Sequence, residues 1–229
     1  MCRKVQATGF AAVALMLAGC GNDQDSTNFV DIARTAISQS LEKATAAGTD
    51  KGAQPQAIAD PAAVLAQVNG PVIFALARDG AEPFYLIGVR DNGPYRTYAT
   101  GTRQTMTLRQ GIVTATRGAG DDLMSSDIKE TLALLQSGSG GQARRLMQFL
   151  DGEDRTIDLV LDCTITAGLS APGNAILAAL PGRKMTEDCA SGTISFRNSY
   201  HLDASGRVTA SVQWLSSTTG SVVFQELRP

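Results

Sequence analysis

The chain has 229 residues, 43% of them hydrophobic, and 20 lysines and arginines stand against 22 aspartates and glutamates for a formal net charge of −2. That length builds one domain with a core of its own, or two small ones. The slight acidic balance excludes the basic excess that binding to nucleic acid or to an anionic membrane surface requires.

The first segment sets the compartment. Arg3 and Lys4 precede an apolar run from Phe10 to Ala18. The run is too short to span a bilayer, which takes about 20 apolar residues, and has the layout of a secretory signal. Leu17-Ala18-Gly19-Cys20 is a lipobox. Small residues precede the cut, and the Cys20 sulfur takes a diacylglyceryl group. Residues 1–19 are therefore expected to be removed and Cys20 to be lipidated. Two or more acyl chains, at ~0.8 kcal/mol per buried CH₂, hold a protein stably to a membrane. Gly21, rather than an aspartate, follows Cys20, which favours an outer-membrane anchor facing the periplasm. No later run is apolar and long enough for a membrane-spanning helix.

The same segment bears on the four cysteines. Cys2 leaves with the signal and Cys20 carries lipid. Cys163 and Cys189 remain in an oxidising compartment and are expected to pair. Two cysteines and one histidine, His201, do not make a zinc site, and neither metal nor cofactor is expected.

Residues 20–60 read as a tether. Within it, Thr27–Ala47 places Phe29, Ile32, Ala33, Ala36, Ile37 and Leu41 at helical spacing, and Gly48–Ala59 is a linker rich in Gly, Pro and Gln. Residues 61–229 read as a single β-rich domain. Asp60 caps a short helix with Pro61 at its first position. Strands are predicted over Val72–Ala77, Phe84–Arg90, Tyr95–Thr100, Thr105–Leu108 and Gly111–Thr116, with turns at Arg78-Asp79-Gly80 and Asp91-Asn92-Gly93-Pro94. A helix over Ile128–Leu135 follows Ser125-Ser126-Asp127. Arg144-Arg145 reads as a solvated face of a short amphipathic stretch. Arg155–Ala167 alternates Ile157, Leu159, Leu161, Cys163 and Ile165 toward one half-buried face. Two hairpins close the chain: Thr193–Leu202 with Val208–Leu215, then Ser221–Leu227. This spacing predicts a mainly β fold, an antiparallel barrel or strongly curved sheet with a few short helices.

The segment Thr107 to Leu123, an apolar strand, Arg109 and Gly111, a second strand, then Gly118, Gly120, Asp122 and Leu123, resembles the YjbF/GfcB family of bacterial lipoproteins. Asn198-Ser199-Tyr200, Gln213-Trp214-Leu215 and the ending Leu227-Arg228-Pro229 are similar to that family's closing hairpins. The resemblance covers about Pro71 to Pro229. It implies a predominantly β outer-membrane lipoprotein associated with exopolysaccharide or capsule production and export, with no catalytic residue to carry over.

The most site-like stretch is Gly118-Ala119-Gly120-Asp121-Asp122. Its two carboxylates form either a cation or acid/base site, or a loop closed onto backbone amides; the second reading is favoured. Trp214 is either a platform for a sugar ring or a core aromatic. His201 has no nucleophile elbow to serve. The expectation is a non-enzymatic, lipid-anchored accessory that binds polysaccharide or export-machinery proteins. Two rivals are kept: a lipid- or lipoprotein-binding barrel, and a periplasmic hydrolase using Asp121 or Asp122.

Overall fold

The computed structural model describes residues 60–77, 83–150, 153, 155–168, 182–192 and 194–229. The expected signal peptide, Cys20, the helix expected over Thr27–Ala47, its linker and the turn expected at Arg78-Asp79-Gly80 lie outside the described residues.

Twelve antiparallel strands form one sheet: β1 Val72–Ala77, β2 Phe84–Asn92, β3 Tyr95–Ala99, β4 Thr105–Arg109, β5 Ile112–Arg117, β6 Leu123–Asp127, β7 Gly141–Leu150, β8 Thr156–Ala167, β9 Arg183–Ser191, β10 Ile194–Leu202, β11 Val208–Ser216 and β12 Gly220–Arg228. Among the described residues two helices accompany them, α1 Pro61–Gln67 and α2 Lys129–Ser137. The ladder runs β5-β4-β3-β2-β1-β12-β11-β10-β9-β8-β7-β6. Its two edge strands, β5 and β6, lie against each other, so the sheet is a nearly closed barrel. The mainly β expectation therefore holds.

Local chemistry explains the turns. Between β4 and β5 the chain reverses through Gln110 (φ 51°) and Gly111 (φ 85°). Two positive-φ residues make the type I′ turn whose twist matches a tight hairpin. Gly111 is also required by space, since a Cβ there would lie 2.3 Å from the Val208 carbonyl oxygen. The Asp60 carboxylate accepts from the Ala62 amide at 3.1 Å to start α1, with Pro61 behind it. Gly138, at φ 72°, ends α2 in the left-handed conformation.

The barrel is filled by its own side chains. Leu86, Ile112, Leu123, Met147, Leu161, Ile165, Met185 and Leu202 belong to one interior cluster with α2 residues Leu132 and Leu135. A second cluster lies outside, where Val64 and Val68 around α1 pack on Val72, Tyr85 and Ile87. Arg228 ties this helix to the sheet by donating to the carbonyls of Leu65, Val68 and Gly70.

Three local expectations are corrected. Ser125–Asp127 belongs to strand β6 rather than to a helix start; Asp127 still receives the Lys129 amide at 3.0 Å. Residues 141–150 are strand β7, so Arg144 and Arg145 point to opposite faces, and Arg145 is 2% exposed. Ile157 lies near the outer end of β8, beyond the packed part of the barrel, and is 51% exposed.

Candidate functional site

Inside the barrel, strand alternation places Arg145 of β7, Glu187 of β9, and Asn198 and Tyr200 of β10 on the inner wall. The Glu187 carboxylate is fully buried and accepts four hydrogen bonds: from Thr131 Oγ1 of α2 at 2.7 Å, Arg145 Nη1 at 2.9 Å, Asn198 Nδ2 at 2.8 Å and the Tyr200 hydroxyl at 2.7 Å. Arg145 Nε donates to Ser126 Oγ of β6 at 2.9 Å, and Asn198 Oδ1 accepts from the Trp214 amide at 2.7 Å. One carboxylate thus joins α2 and β7, β9 and β10, and through Asn198 also β11. Burial pulls the Arg145 guanidinium down, but the Glu187 carboxylate and Tyr200 outweigh it and hold it above its ordinary value. Burial, and then the same carboxylate, push the Tyr200 phenol well above 10. Such a pair stands only when its remaining hydrogen-bond capacity is met, as it is here.

Cys163 and Cys189 face each other across β8 and β9 and form a disulfide beside this carboxylate. Their sulfurs bond each other, and Glu187 is held by its four donors. The cluster is a structural lock rather than a metal seat.

An open cavity of about 290 Å³ lies at one end of the barrel, where the β2–β3, β4–β5 and β10–β11 turns meet. Its walls carry two ion pairs. Arg96 Nε and Nη2 donate to the two Asp91 oxygens at 2.6 and 3.3 Å. Arg207 Nη1 lies 2.9 and 3.0 Å from the two Glu226 oxygens. Tyr98 and Leu108 form the floor, and Gln110 and Gly111 close one side. At the rim, Arg109 sits 5.7 Å from the centre of the Tyr95 ring, and that ring is 36% exposed. Hydrogen bonding to Arg96 holds the Asp91 carboxyl below its usual range. Burial raises Glu226, against the pull of Arg207. Burial likewise raises the Tyr98 phenol, against the hydrogen bond from Arg96. The mouth is therefore charged and aromatic, with planar carboxylate, guanidinium and amide groups.

The residues singled out from sequence lie elsewhere. Asp122 accepts from the amides of Gly118 (2.8 Å) and Ala119 (3.1 Å), and Asp121 accepts from the Thr218 hydroxyl. Gly118 and Gly120 both adopt φ 74°. The loop bridges the seam between β5 and β6, where Thr116 Oγ1 accepts from the Leu123 amide at 2.9 Å and Arg117 donates to the Leu123 carbonyl at 3.0 Å. Trp214 is half-buried, stacked on Phe196 (centroids 4.5 Å, planes 8° apart), with Phe149 at its edge. His201 is buried and its pKa is lowered by burial and by Lys184. None of these lines the mouth. An interior filled by aliphatic side chains and a charged mouth both weigh against a lipid-binding lumen.

Sequence reasoning missed both polar constellations. The signal for the inner one was present: Arg145 sits in register between Ala143 and Met147, and Asn198 and Tyr200 share one parity. Reading residues 141–150 as a strand would have put a charge inside the barrel and required a partner. The mouth has no such signal, because its residues come from four strands and three turns.

Two of three comparisons with known proteins find a likeness. A family model described as "Group 4 capsule polysaccharide lipoprotein gfcB, YjbF" matches residues 36–227. A search of curated proteins finds no match. Among solved structures, the hypothetical lipoprotein YmcC from Escherichia coli (K12) superposes with a TM-score of 0.61 at 13% identity, covering 91% of this chain and 97% of that one. At that identity the likeness concerns the fold. The family match, spanning most of the chain and the whole barrel, carries the assignment: the chain belongs to the YjbF family of group 4 capsule polysaccharide lipoproteins.

Proposed function

We propose that the protein is a lipid-anchored accessory of capsule or exopolysaccharide production and export. It faces the periplasm from the outer membrane through acyl chains on Cys20, and it acts by binding glycan at the barrel mouth, not by catalysis. The observation that supports this reading is the mouth itself. Its volume of about 290 Å³ is close to the lower end of small-ligand sites, roughly 300–1,000 Å³. The Asp91–Arg96 and Arg207–Glu226 pairs offer planar groups that match paired hydroxyls, and Tyr95 and Tyr98 offer apolar ring surface beside them. Four partly solvated charged groups balance to zero, which suits a hydroxylated ligand better than a highly charged one.

The test is calorimetric titration of the mature chain with fragments of the source strain's own surface polysaccharide. Arg207→Ala and Arg96→Ala are expected to weaken binding about tenfold or more, because each leaves a carboxylate unpaired and a ligand donor missing. Wild-type affinity in both variants would remove the mouth from consideration. Cys20→Ala is expected to move the protein from the membrane to the soluble periplasmic fraction. Asp122→Asn is expected to leave surface polysaccharide unchanged; its loss would revive the hydrolase reading.

A further inference from the structure

The outer face of the barrel carries a second apolar surface beside the one that α1 covers. Parity along the strands identifies it. Ser211 and Gln213 of β11 point inward, since Gln213 reaches Ser211, the Val113 amide (2.9 Å) and the Gly111 carbonyl (2.8 Å) on the opposite wall. Ala210 and Val212 therefore point outward. Val223 of β12 does the same between the interior residues Val222 and Phe224. These three form their own cluster with Leu76 of β1, apart from the α1 cluster. On β10, Tyr200 faces inward to Glu187, so Ser199 and His201 face outward, and Thr186 of β9 is paired with Ser199.

This face is shut off from solvent. Ala210, Ser199, His201 and Thr186 are each 1% exposed, and Val212 and Val223 2%. Among the described residues, Thr186 Oγ1, Ser199 Oγ and both ring nitrogens of His201 have no hydrogen-bond partner. Buried polar atoms without partners are rare and need a source of partners. An outward sheet face with aliphatic side chains and polar groups at its centre calls for a covering element that is apolar with a hydroxyl in its stripe.

We propose that the amphipathic segment Thr27–Ala47 of this same chain docks on that face, as a helix lying over β10, β11 and β12. Four observations select this occupant. Its stripe of Phe29, Ile32, Ala33, Ala36, Ile37 and Leu41 has Ser40 inside it, four residues after Ala36 and three after Ile37. A helix of that length spans about 30 Å, enough to cross several strands spaced ~4.8 Å apart. The chain also leads there. The described part begins at Asp60, next to α1, whose cluster adjoins this face through β1 and β12. Residues 48–59 reach at most ~40 Å. The family match, moreover, begins at residue 36, inside the segment, rather than at the barrel.

Docking changes what the tether is. If Cys20 carries lipid, as the proposed function holds, only the residues between Cys20 and Thr27 remain free, a reach of about 25 Å at full extension. An undocked tether from Cys20 to Asp60 would reach about 140 Å. The docked helix would hold the barrel against the membrane.

His201 supplies the readout, because it is the single histidine of the chain. Carbethoxylation of the imidazole by diethylpyrocarbonate is measured on the mature chain carrying Cys20→Ser. The intact chain is expected to react at least tenfold more slowly than the Ile37→Asp/Leu41→Asp variant. An unreduced Cys163–Cys189 bond and unchanged Trp214 emission are the controls for the fold. Fast modification of the intact chain, or equal rates in the two, would overturn the proposal. A benzoylphenylalanine photo-cross-linker in place of Val212, in an otherwise wild-type chain, tests it separately. Cross-linking to a peptide within residues 27–47 supports docking. Cross-linking to a second copy, to another protein or to nothing overturns it. Both readouts are indifferent to glycan binding and to lipidation, so they fail or succeed independently of the proposed function.

Discussion

Arg145→Met should be among the most destabilising single substitutions in the barrel. The change keeps much of the aliphatic stem and removes the cation, which leaves the fully buried Glu187 carboxylate uncompensated. With Arg145 Nη1 2.9 Å from Glu187 Oε2, the charge centres lie about 4 Å apart. At an effective dielectric of ~20 that attraction is about 4 kcal/mol, and breaking a buried pair by removing one partner costs about 3–5 kcal/mol. Glu187→Met should cost more. It strands the Arg145 charge and also orphans Thr131, Asn198 and Tyr200, at about 1 kcal/mol or more each. The double variant removes both charges, so its cost should fall short of the sum of the singles by about 3 kcal/mol. Urea unfolding of the disulfide-intact chain, followed by Trp214 fluorescence, measures this. The single tryptophan is bonded to Asn198 through its own amide and reports on the network directly. Additivity within about 0.5 kcal/mol, or an Arg145→Met cost under about 1 kcal/mol, would refute the reasoning.

Three more predictions follow from the same geometry. The Tyr200 phenol has a folded pKa raised well above 10, so its contribution is fully present below pH 10 and is lost as pH rises from there toward the folded value. Alkaline unfolding should therefore steepen from about pH 10, and Tyr200→Phe should flatten that limb while lowering stability at neutral pH. Gly111→Ala should cost about 2–4 kcal/mol, since its φ is 85° and the new Cβ would meet the Val208 carbonyl at 2.3 Å. Thermal melting would show it, and a shift of less than ~2 °C would contradict the close approach. Cys163→Ala/Cys189→Ala opens a bridge with a sequence separation of 26 and should cost about 3.5 kcal/mol on the chain-entropy account. Equal urea midpoints for the parent and this variant would count against it.

The hairpins were legible because their signals are local. Alternation from Val72 to Thr116 and from Thr193 to Leu227, broken by Gly and Asp turns, is a property of neighbouring residues. The pairing of Cys163 with Cys189 followed from the expected compartment and from setting aside Cys2 and Cys20. Strand β7 was not legible in the same way. Gln142, Arg144, Arg145 and Gln148 make it look solvated, and only the presence of Glu187 across β8 turns Arg145 into an interior residue. Strand β6 is five residues with three polar ones, and its membership in the sheet comes from β7 rather than from its own propensity. The mouth was invisible for a related reason. The Asp91–Arg96 pair lies more than a hundred residues from the Arg207–Glu226 pair in the chain, and each residue alone is an ordinary polar residue near a turn. The Gly118–Asp122 loop drew attention because glycine and aspartate cluster there. In the fold that chemistry goes into joining β5 to β6.

That seam has a further consequence. From β6 the ladder passes through β7 and on to β12, then to β1 and on to β5. It is a simple up-and-down meander cut and rejoined at a different point: the natural ends of the barrel meet in mid-sheet as the β1–β12 pair. That one ladder links residues some 150 positions apart, from Val72 with Arg228 to Ala77 with Val222. Among the described ladders it closes the longest stretch of chain, and so carries the largest loop-closure entropy. A circular permutant that begins at Asp122, ends at Ala119 and joins Pro229 to Asp60 by a short linker would make every ladder in the sheet a sequence-neighbour contact. Its contact order would fall, and the barrel would fold by successive hairpins instead of waiting for its two ends to find each other.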